Sequence, residues 1–326
     1  MSADDHPVPA GGRSVGALDV GLGGAFGETL GGNLELPPAR GKHRRRQWVQ
    51  LPLDALHYRV TQVGLAMVLL IVTITVVGPY IAPYSPYEFV TAPYAKPSAI
   101  AWLGGDNLGR DVLSRVLFGG RSVLILSTVA TAVGMVLGVS LGLVAGYART
   151  VVSEVIMRGL DVLLAFPQIV FVLLLVSVLG PQLWLLVLGV GVTLAPPIAR
   201  VVYGVTMEVK ERDFVIAAES LGVSHFKIAF TEILPNIVSP LMVEFGLNLT
   251  FAIGTIASLS FLGFGIQPPA ADWGLMINEN RVGLIVQPYS VIVPVALIAI
   301  LAVGVNLVTD GVAHAMIGID RDTGSS

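Results

Sequence analysis

The chain has 326 residues and a formal net charge of −3, and 54% of its residues are hydrophobic while only 13% are charged. A soluble globular domain carries about 25% charged residues. The composition, with a mean hydropathy of +0.79, therefore excludes that class and predicts an integral membrane protein that crosses the bilayer several times. Cysteine is absent, which excludes a disulfide framework and a thiolate metal site.

The first part of the chain differs from the rest. Residues 1–36 are rich in glycine, alanine and acidic residues without periodicity, which is typical of disorder. A basic run follows at residues 40–46, and no apolar core of a signal peptide precedes it. Beside a membrane span, such a run favours anionic lipid headgroups over nucleic acid. We predict a disordered, basic cytoplasmic tail over residues 1–59 that contacts lipid and has no nucleic-acid partner.

Six stretches have the roughly 20 apolar residues that a membrane span needs. They cover residues 60–82, 123–147, 155–179, 183–203, 240–264 and 290–314. Lysine and arginine lie before the first stretch, between the second and third, between the fourth and fifth, and after the sixth. By the positive-inside rule, this distribution predicts that both termini are cytoplasmic. Prolines at 167, 196, 197 and 294 predict kinks within the spans.

The expected fold is an all-α polytopic membrane protein with six transmembrane helices. The first is followed by an external, non-helical segment at residues 83–120. A core at residues 121–316 contains a cytoplasmic loop at residues 207–236, and residues 317–326 form a cytoplasmic tail.

The cytoplasmic loop contains a short amphipathic segment. Its apolar positions recur at i, i+3, i+4 and i+7 and are Phe214, Ala217, Ala218 and Leu221. This spacing predicts one helical face. Gly222 is placed to end that helix, Ser224 to cap a second one, and Pro235 to stop it. An apolar face outside the bilayer needs a cover, either the lipid surface or a groove in a partner protein, and we favour the partner.

Glycines recur every four residues in the second stretch, and small residues do so in the fifth. The positions are Gly134, Gly138, Gly142 and Gly146, then Gly246, Thr250, Gly254 and Ser258. This spacing predicts close helix packing, against a helix of this chain or of another subunit. Ser140 lies in a formal G-x-S-x-G motif, so an intramembrane serine hydrolase that pairs Ser140 with His314 is an alternative. A nucleophile elbow needs a strand, a turn and a helix, and an unbroken apolar run does not favour it.

Polar residues inside the spans are candidates for function, because each is costly in lipid unless it is satisfied. They are Gln168, Glu244, Asn248, Asn306 and Asp310. They line a water-filled path or join helices by hydrogen bonds, and the sequence leaves both interpretations open. The chain has no G-x-x-x-x-G-K-[ST] loop and no ligand-spaced histidines. We therefore expect it to bind neither ATP nor a metal itself.

Three further segments resemble a known family. Residues 103–115 resemble the L-G-T-D-x-x-G-R-D-x-x-S-R signature of the C-type permeases of bacterial dipeptide and oligopeptide ABC importers. Residues 260–274 are similar to their S-F-L-G-x-G-x-Q-P-P…W-G segment, and residues 306–311 to their N-x-x-G-D-G ending. The cytoplasmic loop resembles their E-A-A…G…L-P coupling loop at Ala217, Ala218, Gly222, Leu234 and Pro235. The likeness covers residues 55–322.

The resemblance implies a multi-pass inner-membrane protein with a five-helix ABC type I importer permease core and one coupling helix. It implies four kinds of partner: a homologous B-type permease, two ATPase subunits or one fused ATPase, an extracytoplasmic binding protein, and a peptide substrate. ATP and magnesium would be bound by the ATPase subunits, and this chain would perform no covalent chemistry. Nickel, opines or glutathione-like compounds are alternative substrates within the same family.

Two of the matching segments, the coupling loop and the external signature, need comment. The acidic residue that opens E-A-A is Ile216 here, and Glu219, three positions further along, is the candidate replacement. The external signature contains Gly109 and two charges of each sign, from Asp106, Arg110, Asp111 and Arg115. We expect a solvated loop in which Asp111 pairs with Arg110 or Arg115, or alternatively a contact with the binding protein.

Overall fold

The computed structural model describes residues 56, 58–148 and 150–323, and the side chains of these residues up to position 316. The predicted disordered tail at residues 1–59 lies almost entirely outside this part. The helices are α1 (Arg59–Ile81), α2 (Val112–Tyr147), α3 (Thr150–Leu164), α4 (Gln168–Leu179), α5 (Leu183–Lys210), α6 (Asp213–Ser220), α7 (His225–Ile228), α8 (Leu234–Phe261), α9 (Trp273–Asn280) and α10 (Tyr289–Thr323). The described residues form no β-strand, only isolated bridges in the segment between α1 and α2.

Five helices of the described part are long and apolar enough to cross a membrane, and α3 with α4 makes a sixth candidate. Every predicted span overlaps one of them. Their order confirms the all-helical polytopic fold, while the predicted orientation with both termini in the cytoplasm stays a prediction. Below, the cytoplasmic side means the side that this prediction assigns.

The α3–α4 pair is broken rather than kinked. α3 ends at Leu164, α4 begins at Gln168, and the two axes differ by 83°. Pro167 has no N–H to continue the helix, and the residue before a proline is disfavoured in the α conformation. The predicted kink at Pro167 is therefore a full break, whereas Pro196, Pro197 and Pro294 lie inside uninterrupted helices.

α2 begins earlier than the sequence predicted. Helix starts at Val112, so the expectation of non-helical chain as far as residue 120 is wrong. The first turns of α2 carry a charge, but the Arg115 side chain is fully buried and paired with Asp106 and Glu279. A paired charge is tolerated where a lone one is not.

Pro235 does not stop a helix, contrary to the prediction. α7 runs through one π-helical turn, Ala229–Ile233, directly into α8. The Leu234 N–H bonds to the carbonyl of Ala229, five residues back, and Pro235 falls in the first turn of α8. Proline is common in the first turn of a helix, where its fixed φ matches the helical value.

The glycine stripe of α2 packs against α5 of the same chain. A Cβ atom added at Gly138 would lie 2.7 Å from Cβ of Ile198, and one at Gly142 would lie 2.6 Å from Cβ of Val202. The prediction of tight packing is confirmed, and the partner helix is internal. In α8 the pattern holds only in part, because Gly246 meets Thr309 of α10 while Gly254 meets no atom within 4 Å among the described residues.

We predict that Gly138→Leu or Gly142→Leu separates α2 from α5 and lowers the free energy of unfolding by about 1–3 kcal/mol or more. The thermal unfolding midpoint of the purified protein in detergent measures this. Gly204→Leu is the matched control, since Gly204 lies inside α5, in its C-terminal third, with no described atom within 4 Å. Equal loss in both variants would contradict the packing interpretation.

Candidate functional site

The coupling segment on the cytoplasmic side consists of α6, α7 and the turn between them. α6 ends where Gly222 adopts a φ of 74°, as predicted. The N–H of Gly222 donates to the carbonyl of Glu219 at 2.9 Å, and the N–H of Val223 donates to that of Ala218 at 3.2 Å. Ser224 stands at the start of α7, although its side chain makes no capping bond.

The predicted apolar stripe of α6 is divided between two surroundings. Phe214 and Ala218 are half-buried and pack against the chain's own apolar core, beside the fully buried Val215. Ala217 is exposed, and Leu221 is 82% exposed. The stripe therefore serves both to attach α6 to the bundle and to present an apolar surface outward.

Two exposed apolar side chains of this surface were missed from the sequence. Ile216 is 50% exposed and Phe226, on α7, is 75% exposed. The large apolar side chains of the coupling segment that its own chain leaves exposed are thus Ile216, Leu221 and Phe226. Leu234 is half-buried against the core, and Pro235 is exposed beside it.

Tyr147 connects the end of α2 to this segment. Its hydroxyl donates a hydrogen bond to the carboxylate of Glu219. The Lys210 ammonium lies 5.0 Å from the centre of its ring, and the His225 ring lies 5.1 Å away. The charge of Glu219 is therefore engaged within this chain, which does not favour its acting as a replacement for an acid at Ile216.

The external signature forms a buried ion-pair network. Asp106 Oδ2 accepts from Arg110 Nε at 2.6 Å and from Arg115 Nη1 at 2.7 Å. Glu279, on α9, completes the network by accepting from Arg110 Nη2 at 3.0 Å and Arg115 Nη2 at 2.9 Å. Two charges of each sign offset one another, which keeps all four out of water at a tolerable cost.

The expected surface pairing of Asp111 is wrong. Asp111 is 1% exposed and caps α2, accepting from the Ser114 N–H at 2.8 Å and the Ser114 hydroxyl at 2.6 Å. Gly109 has a φ of 84°, which only glycine adopts freely. A buried capping carboxylate does not favour contact with the binding protein, so the signature orders the entry to α2.

Glu279 was not singled out from the sequence, because its partners are more than 160 positions away along the chain. The same two segments meet again where the N–H of Asn107 donates to Asn280 Oδ1 at 2.8 Å. Nearby, the fully buried Trp273 donates from its indole N–H to the carbonyl of Val116 at 2.9 Å. α9 is thus held against the start of α2 by charged, polar and apolar contacts.

Burial raises the pKa of the Glu279 carboxyl from its ordinary 4.5 to about 7, because lost hydration and the repulsion of Asp106 outweigh the attraction of Arg110. The folded protein then holds a proton that the unfolded chain releases, between about pH 4.5 and 7. This contribution to stability is complete below pH 4.5, is lost as the pH rises through about 7, and is absent above.

We therefore predict that unfolding free energy falls across this pH window by on the order of 1–3 kcal/mol. Glu279→Gln, which is neutral at every pH, should flatten this part of the profile. Thermal midpoints measured from pH 4 to 8, with wild type and variant side by side, isolate the contribution. A variant profile parallel to that of wild type would contradict it.

The polar residues of the spans fall into two places. Gln168, Glu244 and Asn248 line one cavity between α3–α4, α5 and α8. Asn306 and Asp310 instead share an exposed face of α10. The predicted set is therefore not one group, and only the first three are candidates for a common site.

Ser140 does not form a nucleophile elbow, because it lies within the uninterrupted helix α2. It lines a second cavity together with His225. The His314 ring lies against Tyr58, and its Nδ1 is 2.7 Å from the carbonyl oxygen of Asp310. The structure thus does not support the hydrolase alternative.

A polytopic bundle with a broken span and an apolar coupling segment defines the class of a membrane transport component. The family model described as the binding-protein-dependent transport system inner membrane component matches residues 138–317. The chain belongs to this family. It is accordingly a non-catalytic, inner-membrane component of an ABC importer, which works with an ATPase, a binding protein and a second permease.

Known relatives are similar in sequence to this chain over most of its length. The glutathione transport system permease protein GsiD of Pectobacterium atrosepticum is 36% identical over 283 residues, covering 86% of this chain and 94% of its own length. The dipeptide transport system permease protein DppC of Haemophilus influenzae is 32% identical over 263 residues, covering 78% and 88%. A chain of the inward-facing MetNI methionine ABC transporter has a TM-score of 0.48 at 19% identity, covering 62% of this chain and 96% of that one.

Proposed function

We propose that this chain is a permease subunit of an ATP-driven importer of di- and oligopeptides. It forms half of the translocation pathway, and a homologous B-type permease forms the other half. Two ATPase subunits, or one fused ATPase, bind ATP and magnesium beneath it, and this chain binds neither. An extracytoplasmic binding protein delivers the peptide. Relatives named for dipeptide and glutathione transport support a peptide substrate over nickel.

The observation that carries this proposal is the uncovered apolar surface of the coupling segment. Leu221 and Phe226 are 82% and 75% exposed on helices that are anchored to the core through Val215 and Ile228. A rigid helix with an outward apolar surface fits into a groove of a partner. Only two residues separate the end of α5 from the start of α6, and α7 continues into α8. The coupling segment is therefore connected closely to two spans, and its displacement by a partner would move both.

We predict that Leu221→Asp or Phe226→Asp weakens ATPase association by about 1–3 kcal/mol, because each puts an unpaired charge into an apolar contact. Copurification of the ATPase and its stimulation by loaded binding protein measure the effect. Leu221 is a better position than Ala218, whose inward packing would confuse docking with folding. Val282→Asp, at an 84% exposed valine beyond α9, is the matched control. Undiminished copurification with both coupling variants would reject this docking surface.

The substrate class is tested with the complete complex in proteoliposomes. We expect ATP-dependent uptake of dipeptides, tripeptides or longer peptides when the binding protein is present, and no uptake of nickel. Uptake of labelled peptide and of ⁶³Ni by the same vesicles distinguishes the two. Nickel uptake without peptide uptake would overturn the peptide assignment and leave the family membership intact.

A further inference from the structure

The cavity beside the broken span has a volume of about 550 Å³. The break between α3 and α4 forms one wall, and α5 and α8 form the others. Its polar lining consists of Gln168, Thr193, Glu244 and Asn248. Phe166 and Phe251 stand at the rim and are 54% and 65% exposed, so the cavity opens on a face of this chain that a second permease can cover. Sites for small organic ligands commonly have about 300–1,000 Å³.

The cavity lies within the membrane-spanning part of the bundle, because its lining comes from the candidate spans α5 and α8 and from the break between α3 and α4. Glu244 and Asn248 lie about 15 and 21 Å from the start of α8, and Thr193 lies about 15 Å from the start of α5, at 1.5 Å per helical residue. All three positions therefore lie more than two turns inside helices that are long enough to span the bilayer. A discontinuous helix within the membrane exposes polar groups where the bilayer itself supplies none.

Two polar atoms of the lining can form hydrogen bonds that no described residue supplies. Asn248 is 4% exposed, and its Nδ2 donates to the Glu244 backbone carbonyl at 2.8 Å and to Glu244 Oε2 at 2.9 Å. Asn248 thus orients the carboxylate, whose Oε1 has no hydrogen-bond partner within the described residues. Gln168 Nε2 is buried and also lacks a partner there. The site offers one charged acceptor and one neutral donor.

The single carboxylate in the lining determines which charge a ligand of this cavity should carry. Glu244 is its sole ionisable residue among those that the structure describes. The nearest basic group along α5, Arg200, lies three residues beyond the lining residue Pro197 and is already paired with Asp161 of α3. A free carboxylate therefore faces apolar and neutral polar walls. A cationic group offsets the cost of burying that carboxylate, whereas an anionic ligand would add to it.

On the basis of the proposed function, we propose that this cavity binds the amino-terminal end of a peptide in transit. Glu244 accepts a hydrogen bond from the α-ammonium group, and Gln168 donates one to the first peptide carbonyl. The apolar rim of Phe166 and Phe251 contacts the first side chain without selecting its identity. The cavity thus recognises what all peptides share and tolerates what differs among them.

Cysteine protection tests this directly, because the chain has no native cysteine. Thr193→Cys places one thiol in the cavity with little change of shape, and within the described part of the chain the Thr193 hydroxyl bonds only to the Val190 carbonyl of its own helix. The intact complex, without binding protein, is labelled with N-ethylmaleimide at increasing concentrations of a dialanine probe. Lys96→Cys, at an exposed position outside the cavity, controls for effects on the reagent.

Dialanine at about ten times its dissociation constant should slow labelling of Cys at position 193 roughly tenfold, and N-acetyl-dialanine should protect much less. Adding Glu244→Gln should weaken protection by dialanine roughly tenfold or more, since a charge-assisted bond is lost. Glu154→Gln removes the same charge from an exposed pair with Arg158 and should leave protection unchanged.

The possible outcomes distinguish a failure of the proposed binding site from a failure of the proposed function. Peptide uptake by the Thr193→Cys complex without any protection would overturn this site and leave the proposed function standing. Equal protection by the free and acetylated probes would overturn the ammonium assignment, as would full protection in Glu244→Gln. Absence of peptide uptake by the wild-type complex in vesicles would instead reject the proposed function.

Discussion

The close contact between α2 and α5 is the constraint on which the rest of the structure depends. Glycines every four residues let the two backbones approach so closely that even a methyl group would collide. Lipid supplies no hydrophobic force to join helices, so this dense packing is what holds them. Because α2 is 36 residues long, about 54 Å at the helical rise, one seam positions groups on both sides of the membrane.

At its outer end, α2 begins in the buried network of Asp106, Arg110, Arg115 and Glu279, which fastens α9 to it. At its inner end, Tyr147 contacts Lys210 at the end of α5, Glu219 in α6 and His225 at the start of α7. The helix therefore joins a rigid external cap to the coupling segment. The close approach of α2 and α5 opposes sliding of one helix along the other, because side chains of α5 would collide with the α2 backbone.

The broken span is the place where the bundle departs from such rigid packing. Between Leu164 and Gln168 the chain gives up helical hydrogen bonds in the middle of an apolar stretch, which is tolerated in membrane proteins only where protein or a water-filled cavity surrounds the backbone. The adjoining cavity, with the carboxylate of Glu244, meets that condition. Structure that is unfavourable in lipid is thus concentrated at the proposed pathway.

Local patterns in the sequence determined the helical class, the positions of the apolar spans, the glycine packing and the end of α6 near Gly222, because each depends on neighbours within a few residues. They also carried the family resemblance. Only the tertiary structure decided which side of α6 is covered, that Asp111 is buried, that Glu279 joins the external network, and that Gln168 meets Glu244 while Asn306 does not. These outcomes depend on how separate helices are rotated and brought together, and the periodicity of one helix contains no information about its neighbours.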